Sequence, residues 1–199
     1  MDGIPCQTAA AMRVVAGAYK GHPIKSPRRG SARPTQDRVR EALFSMLGPV
    51  DGLRVLDLFA GSGALGIEAL SRGATGATFV DADAACIAGV AENLERLGIE
   101  DAGLFRSDAL AFLEGAARHA ERWDLVFCDP PYGLADRLSD DLSGLLEPVL
   151  APQARVVCES STRQPLKLAL PVHTERRYGD TLIVIHSNGK AATGHPDAS

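Results

Sequence analysis

The chain has 199 residues, of which 45% are apolar and 23% charged, a composition that predicts one domain with a sizeable core. No apolar run approaches the roughly 20 residues of a membrane span, Met1 to Met12 lacks the basic-then-apolar plan of a signal peptide, and four cysteines and five histidines lie scattered without ligand spacing; the expectation is a cytoplasmic protein with no membrane, disulfide framework or metal. The net charge of −4 excludes a uniformly basic nucleic-acid binder, but Arg13 to Arg40 carries eight basic residues against Asp37 alone, leaving +7 there and −11 elsewhere, so one end is suited to polyanions.

In chain order, residues 1–11 read as a flexible extension. Met12 to Lys25 alternates loosely around Val14, Val15, Tyr19 and Ile24, with Gly17 and Gly21-His22-Pro23 as turn material, which predicts a short hairpin. Ser26 to Ser31 is a loop. Thr35 has the character of a helix N-cap before Val39, Ala42, Leu43, Met46 and Leu47 at helical spacing, and Gly48-Pro49 ends that helix. Arg38, Arg40 and Glu41 fall off the deepest apolar stripe, so residues 12–50 are expected to form a basic appendage with the helix's polar side continuing the basic surface.

Beyond it the pattern becomes apolar strands alternating with amphipathic helices. Strands are predicted at Val55 to Phe59, Ala77 to Val80, Gly103 to Arg106, Leu125 to Cys128 and Arg155 to Glu159. The helices between them are Ala64 to Ser71, Ala84 to Leu97 closed by Gly98, Ala109 to Ala117, and Asp136 to Leu146. Val172 to Tyr178 and Thr181 to His186, joined only by Gly179-Asp180, predict an antiparallel hairpin. The expected fold class is α/β: residues 51–187 in a mostly parallel, Rossmann-like sheet of seven strands whose last strand is antiparallel, followed by a disordered tail at 188–199.

Val55 to Gly66 runs from a strand through a glycine-rich turn into a helix. Phe59, Ala60, Gly61, Ser62 and Gly63 form a turn that lets backbone approach a ligand closely. Gly61 to Gly66 also fits G-x-G-x-x-G, which by itself is weak evidence for a dinucleotide. Asp57 discriminates: a carboxylate there suits the cationic amino group of S-adenosylmethionine and would repel a pyrophosphate. Asp81, followed by Ala82, stands 24 residues further on, at the end of the next strand, where it can bridge ribose hydroxyls. Asp108, followed by Ala109, ends the third and could accept from an adenine amino group. Taken singly, each aspartate could instead be a helix N-cap.

The strongest signal is Asp129-Pro130-Pro131-Tyr132 after the fourth strand. Two prolines fix the backbone and remove two N–H groups, so the segment presents acceptors, the Asp129 carboxylate and the Pro130 carbonyl. An exocyclic base amine needs such acceptors, and Tyr132 offers a face on which a flipped-out base can stack. Cys128 beside it reads as core. A DNA amino-methyltransferase would share these residues but brings a target-recognition domain for which there is no room. A dehydrogenase leaves Asp57 and Asp129 to Tyr132 unexplained, and an RNA-binding assembly factor without catalysis leaves the intact motif unexplained.

With these residues in place, the chain resembles the RsmD family of 16S ribosomal RNA guanine-N2 methyltransferases over almost its whole length. The likeness is carried by Met12 to Gly17, Arg33-Pro34-Thr35, Arg38 to Phe44, Asp57 to Ala69, Asp129 to Tyr132 and Glu175 to Thr181. The resemblance implies S-adenosylmethionine as cofactor and Asp129, Pro130, Pro131 and Tyr132 as the catalytic segment. It further implies RNA contacts from the N-terminal region, with Arg13, Lys25, Arg28, Arg29, Arg33, Thr35, Arg38 and Arg40 as candidates. The implied partner is 16S ribosomal RNA in the small subunit or its assembly intermediate, the implied target guanine 966, and a monomer is expected. The chain departs from the pattern in some 11 residues before Met12, and in Asp81 where relatives carry Glu.

Overall fold

The computed structural model describes residues 12–26, 34–131, 133 and 135–189. Residues 1–11, the arginines Arg28, Arg29 and Arg33, Tyr132 and the chain from Lys190 onward lie outside the described residues. A seven-stranded sheet has the order β3-β2-β1-β4-β5-β7-β6, and the chain divides into two compact units, Met1–Ala109 and Leu110–Ser199.

In the first unit, helix α1 (Pro34–Leu47) precedes β1 (Arg54–Asp57), α2 (Ala64–Ser71), β2 (Gly76–Asp81), α3 (Ala84–Leu97), β3 (Ala102–Arg106) and the first residue of α4 (Ala109–Arg118). Strands β1, β2 and β3 run parallel, Asp57 level with Phe79 and Asp81 with Arg106. Asp83 caps α3 by accepting from the Ala85 N–H at 2.8 Å, and Gly98, at φ 66, closes it, since only a residue without Cβ adopts that left-handed turn at no cost. Helix α1 begins at Pro34, so Thr35 lies inside its first turn and is not the cap; proline is preorganised for a first helical position.

Met12 to Lys25 does fold back on itself, but through a single bridge between Arg13 and Pro23 in place of paired strands. Its backbone donors are then satisfied by the body of the unit. Glu68 of α2, fully buried, accepts the N–H groups of Val15 at 2.7 Å and Ala16 at 3.0 Å, and Ser71 accepts that of Tyr19 at 3.0 Å. Arg40 corrects an expectation. It is 5% exposed, pairs with Asp37 at 2.8 Å, faces Glu68 at 3.6 Å and donates to the Arg13 carbonyl. A guanidinium can go inside here because acidic and carbonyl oxygens surround it.

The second unit holds the rest of α4, β4 (Trp123–Cys128), α5 (Ala135–Leu146), a 3₁₀ turn, β5 (Leu150–Ser161), β6 (Val172–Tyr178) and β7 (Thr181–Ser187). Strand β5 is parallel to β4 and antiparallel to β7, and β6 and β7 form the expected hairpin with Gly179 at φ 62. Strand β5 starts five residues earlier than expected. Its pairing with β4 shifts between Trp123 and Leu125, and Gln153 sits at φ 65, so Pro152 and Gln153 form an irregularity the alternation pattern concealed. Asn188, expected in the tail, continues the sheet by donating to the Ala154 carbonyl at 2.9 Å. Cys128 and Cys158, level on β4 and β5, are both buried. No helix among the described residues is long and apolar enough to cross a membrane.

Candidate functional site

The glycine turn after β1 is built by hydrogen bonds from both sides. Ala60 N–H donates to the Val80 carbonyl at 3.0 Å, and Gly63 N–H to the Ala60 carbonyl at 2.7 Å. Gly61 and Gly63 take φ of 54 and 75, and a Cβ on Gly61 would meet nothing nearer than the Phe59 carbonyl at 4.0 Å. The turn therefore has open space above Gly61, where a ligand could lie against bare backbone. Gly66 has another purpose. A Cβ there would stand 2.3 Å from a ring carbon of the fully buried Phe79, so this glycine lets α2 press onto β2.

Asp57 is 3% exposed at the end of β1 and accepts the Gly66 N–H at 3.0 Å. Burial pushes its carboxyl up to about 7, the Gly66 hydrogen bond opposing and the charge of Asp81 adding to the rise. Asp81 accepts the Gly61 N–H on one oxygen at 2.9 Å and the Asp83 N–H on the other at 2.8 Å. Each oxygen keeps a further acceptor position. The Ser107 N–H donates to the Asp81 carbonyl at 3.1 Å, which draws the ends of β2 and β3 together. Exposed Asp108 then leads into buried Ala109 at the start of α4, while Ala82 is exposed after β2 and Phe59 partly buried. In the first unit the predicted cofactor residues thus gather at the carboxyl ends of three adjacent parallel strands, where open α/β sheets bind ligands. A buried carboxyl held by one hydrogen bond, an anchored carboxylate and bare glycine backbone fit a ligand carrying a cationic amine and a ribose.

Two residues that sequence reasoning missed support this turn. Asn93 of α3, 1% exposed, donates to the Ser62 carbonyl at 3.1 Å and the Lys25 carbonyl at 2.9 Å, and accepts the Lys25 N–H at 2.9 Å. Glu68 holds the same segment from α2. Among the candidate RNA contacts, Arg13 is exposed and donates to the Gly21 carbonyl at 3.0 Å, Lys25 pairs with Glu92 at 2.6 Å in the open, Arg38 is exposed, and Arg40 is internal.

In the second unit Asp129 and Pro131 are exposed and Pro130 buried, directly after β4. Together with Gly133, Ala135, Glu159, Ser160, Ser161 and Gln164 they line a cleft. Gly133 turns the chain at φ 87. The far wall is fixed by the Gln164 N–H on the Ser161 carbonyl at 3.1 Å and the Thr162 N–H on the Asp180 carbonyl at 2.9 Å. Glu159 was the third residue missed. It is an acidic residue at the carboxyl end of a buried strand, the signal that singled out Asp57, Asp81 and Asp129, and burial raises its carboxyl above the ordinary range. Among the described residues no cluster of histidine, cysteine and acidic side chains could hold a metal ion.

A sheet of this order with an antiparallel final hairpin, carboxylates at its strand ends and a glycine turn after β1 defines a class I methyltransferase. The comparisons carry this further. The family model described as conserved hypothetical protein 95 matches residues 12–187. Ribosomal RNA small subunit methyltransferase D of Escherichia coli K12 is 36% identical over 193 residues, 94% of each chain, and that of Haemophilus influenzae is 35% identical over 160 residues, 78% of this chain and 81% of the other. The solved structure of Escherichia coli yhhF is 34% identical with a TM-score of 0.75, covering 89% of this chain and 98% of that one. The chain belongs to the family of ribosomal RNA small subunit methyltransferase D.

Proposed function

We propose that this protein transfers a methyl group from S-adenosylmethionine to the N2 amine of a guanine in 16S ribosomal RNA, guanine 966 by the family likeness. The observation that carries the reading is the Asp129-Pro130-Pro131 segment, held by β4 and opening onto a cleft of its own unit. When bound, the cofactor supplies an electrophilic methyl on a sulfonium. Asp57 favours the amine end of that ligand, Asp81 accepts from its ribose, and Asp108 accepts from its base. Asp129 and the Pro130 carbonyl accept the N–H groups of the guanine amine, whose lone pair must leave conjugation with the ring to attack. Tyr132, next in sequence, supplies a ring for the base to stack on, a contact worth roughly 1–3 kcal/mol. The remainder of the rate comes from holding nitrogen and methyl in line. Arg13, Lys25 and Arg38, with Arg28, Arg29 and Arg33 of the same basic stretch, meet RNA phosphates.

The proposed substrate is the small subunit or its assembly intermediate, with the protein acting as a cytoplasmic monomer. The test is transfer of labelled methyl to small subunits from cells lacking the enzyme, beside naked 16S RNA and duplex DNA, with nucleoside analysis. N2-methylguanosine from subunits is the expected product. Label in DNA as N6-methyladenine would make the protein a DNA enzyme, and cofactor binding without any transfer would make it a binding protein.

A further inference from the structure

Strands β4 and β5 are parallel, with Cys128 level with Cys158. One residue further on stand Asp129, directly after the end of β4, and Glu159, still within β5. Each follows directly on the level cysteine pair, so Asp129 and Glu159 come next to each other on neighbouring chains about 5 Å apart. Both line the same cleft. Glu159 is partly buried, and among the described residues its carboxyl makes no hydrogen bond and no ion pair. A half-buried carboxylate with no protein partner is disfavoured unless a ligand uses it.

We infer that Glu159 reads the Watson–Crick edge of the target guanine by accepting its N1–H while Asp129 accepts from the adjacent N2 amine. This rests on the guanine reading above and names what selects that base. Guanine presents two neighbouring donors, N1–H and N2–H₂, on one edge. Two carboxylates abreast are the complementary acceptor pair. Adenine presents a lone pair at N1, and an ionised Glu159 repels it. The partly buried, otherwise unpartnered carboxyl thereby gains the donor it lacks, and the same contact sets the base so that N2, not a ring nitrogen, lies against Asp129.

The discriminating substrate is 2-aminopurine, which keeps the 2-amino group but carries a lone pair at N1. Small subunits reconstituted with 16S RNA bearing either guanine or 2-aminopurine at the methylated position are assayed with the wild-type protein and with Glu159→Gln. Wild type is expected to favour guanine by about 10- to 100-fold in kcat/KM, the range of one good base-edge contact. Glu159→Gln keeps one acceptor oxygen for N1–H of guanine but adds an amide donor that can serve N1 of 2-aminopurine, so the gain falls on 2-aminopurine and the preference should narrow. Unchanged affinity for S-adenosylhomocysteine, measured by calorimetry, shows that the variant is folded. Wild-type discrimination retained in Glu159→Gln overturns the inference, as does an equal loss on both substrates, which marks a merely structural role. If wild type forms no N2-methylguanine at all, the guanine reading fails, and the inference falls with it.

Discussion

Replacing Glu68 by alanine removes the acceptor on which the N-terminal segment, α1 and α2 converge. Its side chain is fully buried, and its oxygens take the N–H groups of Val15 and Ala16, the Arg72 guanidinium at 2.7 Å and, more loosely, Arg40 at 3.6 Å. Removing one partner of a buried ion pair costs about 3–5 kcal/mol. Two features keep the loss from the top of that range. Arg72 is 23% exposed and can turn to water, and Arg40 keeps Asp37. The two backbone donors add to it, since hydrogen bonds to charged acceptors are worth about 1.5–3 kcal/mol each and do not sum in full. The expected net loss is about 3–4 kcal/mol, or a fall in Tm of roughly 10 °C for a chain of this size. Calorimetry of Glu68→Ala, Arg40→Met and the double variant measures it. The double variant should cost less than the sum of the singles, because the Arg40–Glu68 interaction is lost in either single and can be lost only once. A loss below about 1 kcal/mol for Glu68→Ala, or singles that add within about 0.5 kcal/mol, would refute the reasoning.

Asp57 makes cofactor affinity depend on pH. Its ordinary value is 3.8 and burial lifts it to about 7, so folding takes up a proton; this stabilisation is complete below pH 4 and is lost as pH rises through 7. A bound amine favours the carboxylate, so affinity for S-adenosylmethionine should fall as pH drops below 7, by at most about tenfold per unit for one proton, and Asp57→Asn should abolish that slope in titration calorimetry. Gly66→Ala forces a Cβ to within 2.3 Å of the Phe79 ring, and overpacking of about 1–3 kcal/mol outweighs the helix preference for alanine; Phe79→Leu in the same chain should recover most of it in urea denaturation. Asp129→Ala should abolish methyl transfer while leaving cofactor affinity within about twofold, the separation expected when an interaction acts on the reacting base alone; equal losses of both would contradict the role.

By itself the sequence determined the alternation of strands and helices, the final hairpin, and the positions of Asp57, Asp81, Asp108 and Asp129. Each of these is written locally: apolar runs of strand length, Gly98 and Gly179 where a positive φ is needed, an acidic residue where a strand ends. What it could not decide is where an ionisable side chain goes when its partner is distant along the chain. Arg40 reads as a surface cation from its helical position, and only the arrival of Glu68, 28 residues later, with the Arg13 carbonyl, turns it inward. Asn93 looks like any polar helix residue until Lys25 and the Ser62 carbonyl fold against it. Glu159 lies in a strand the alternation did predict, yet its value comes from the parallel register that sets the preceding Cys158 level with Cys128, the residue before Asp129. Hydrophobic periodicity is a property of neighbours in sequence, whereas the fate of a charge depends on the dielectric and the partners that tertiary packing brings to it, and these exist only once the chain is folded.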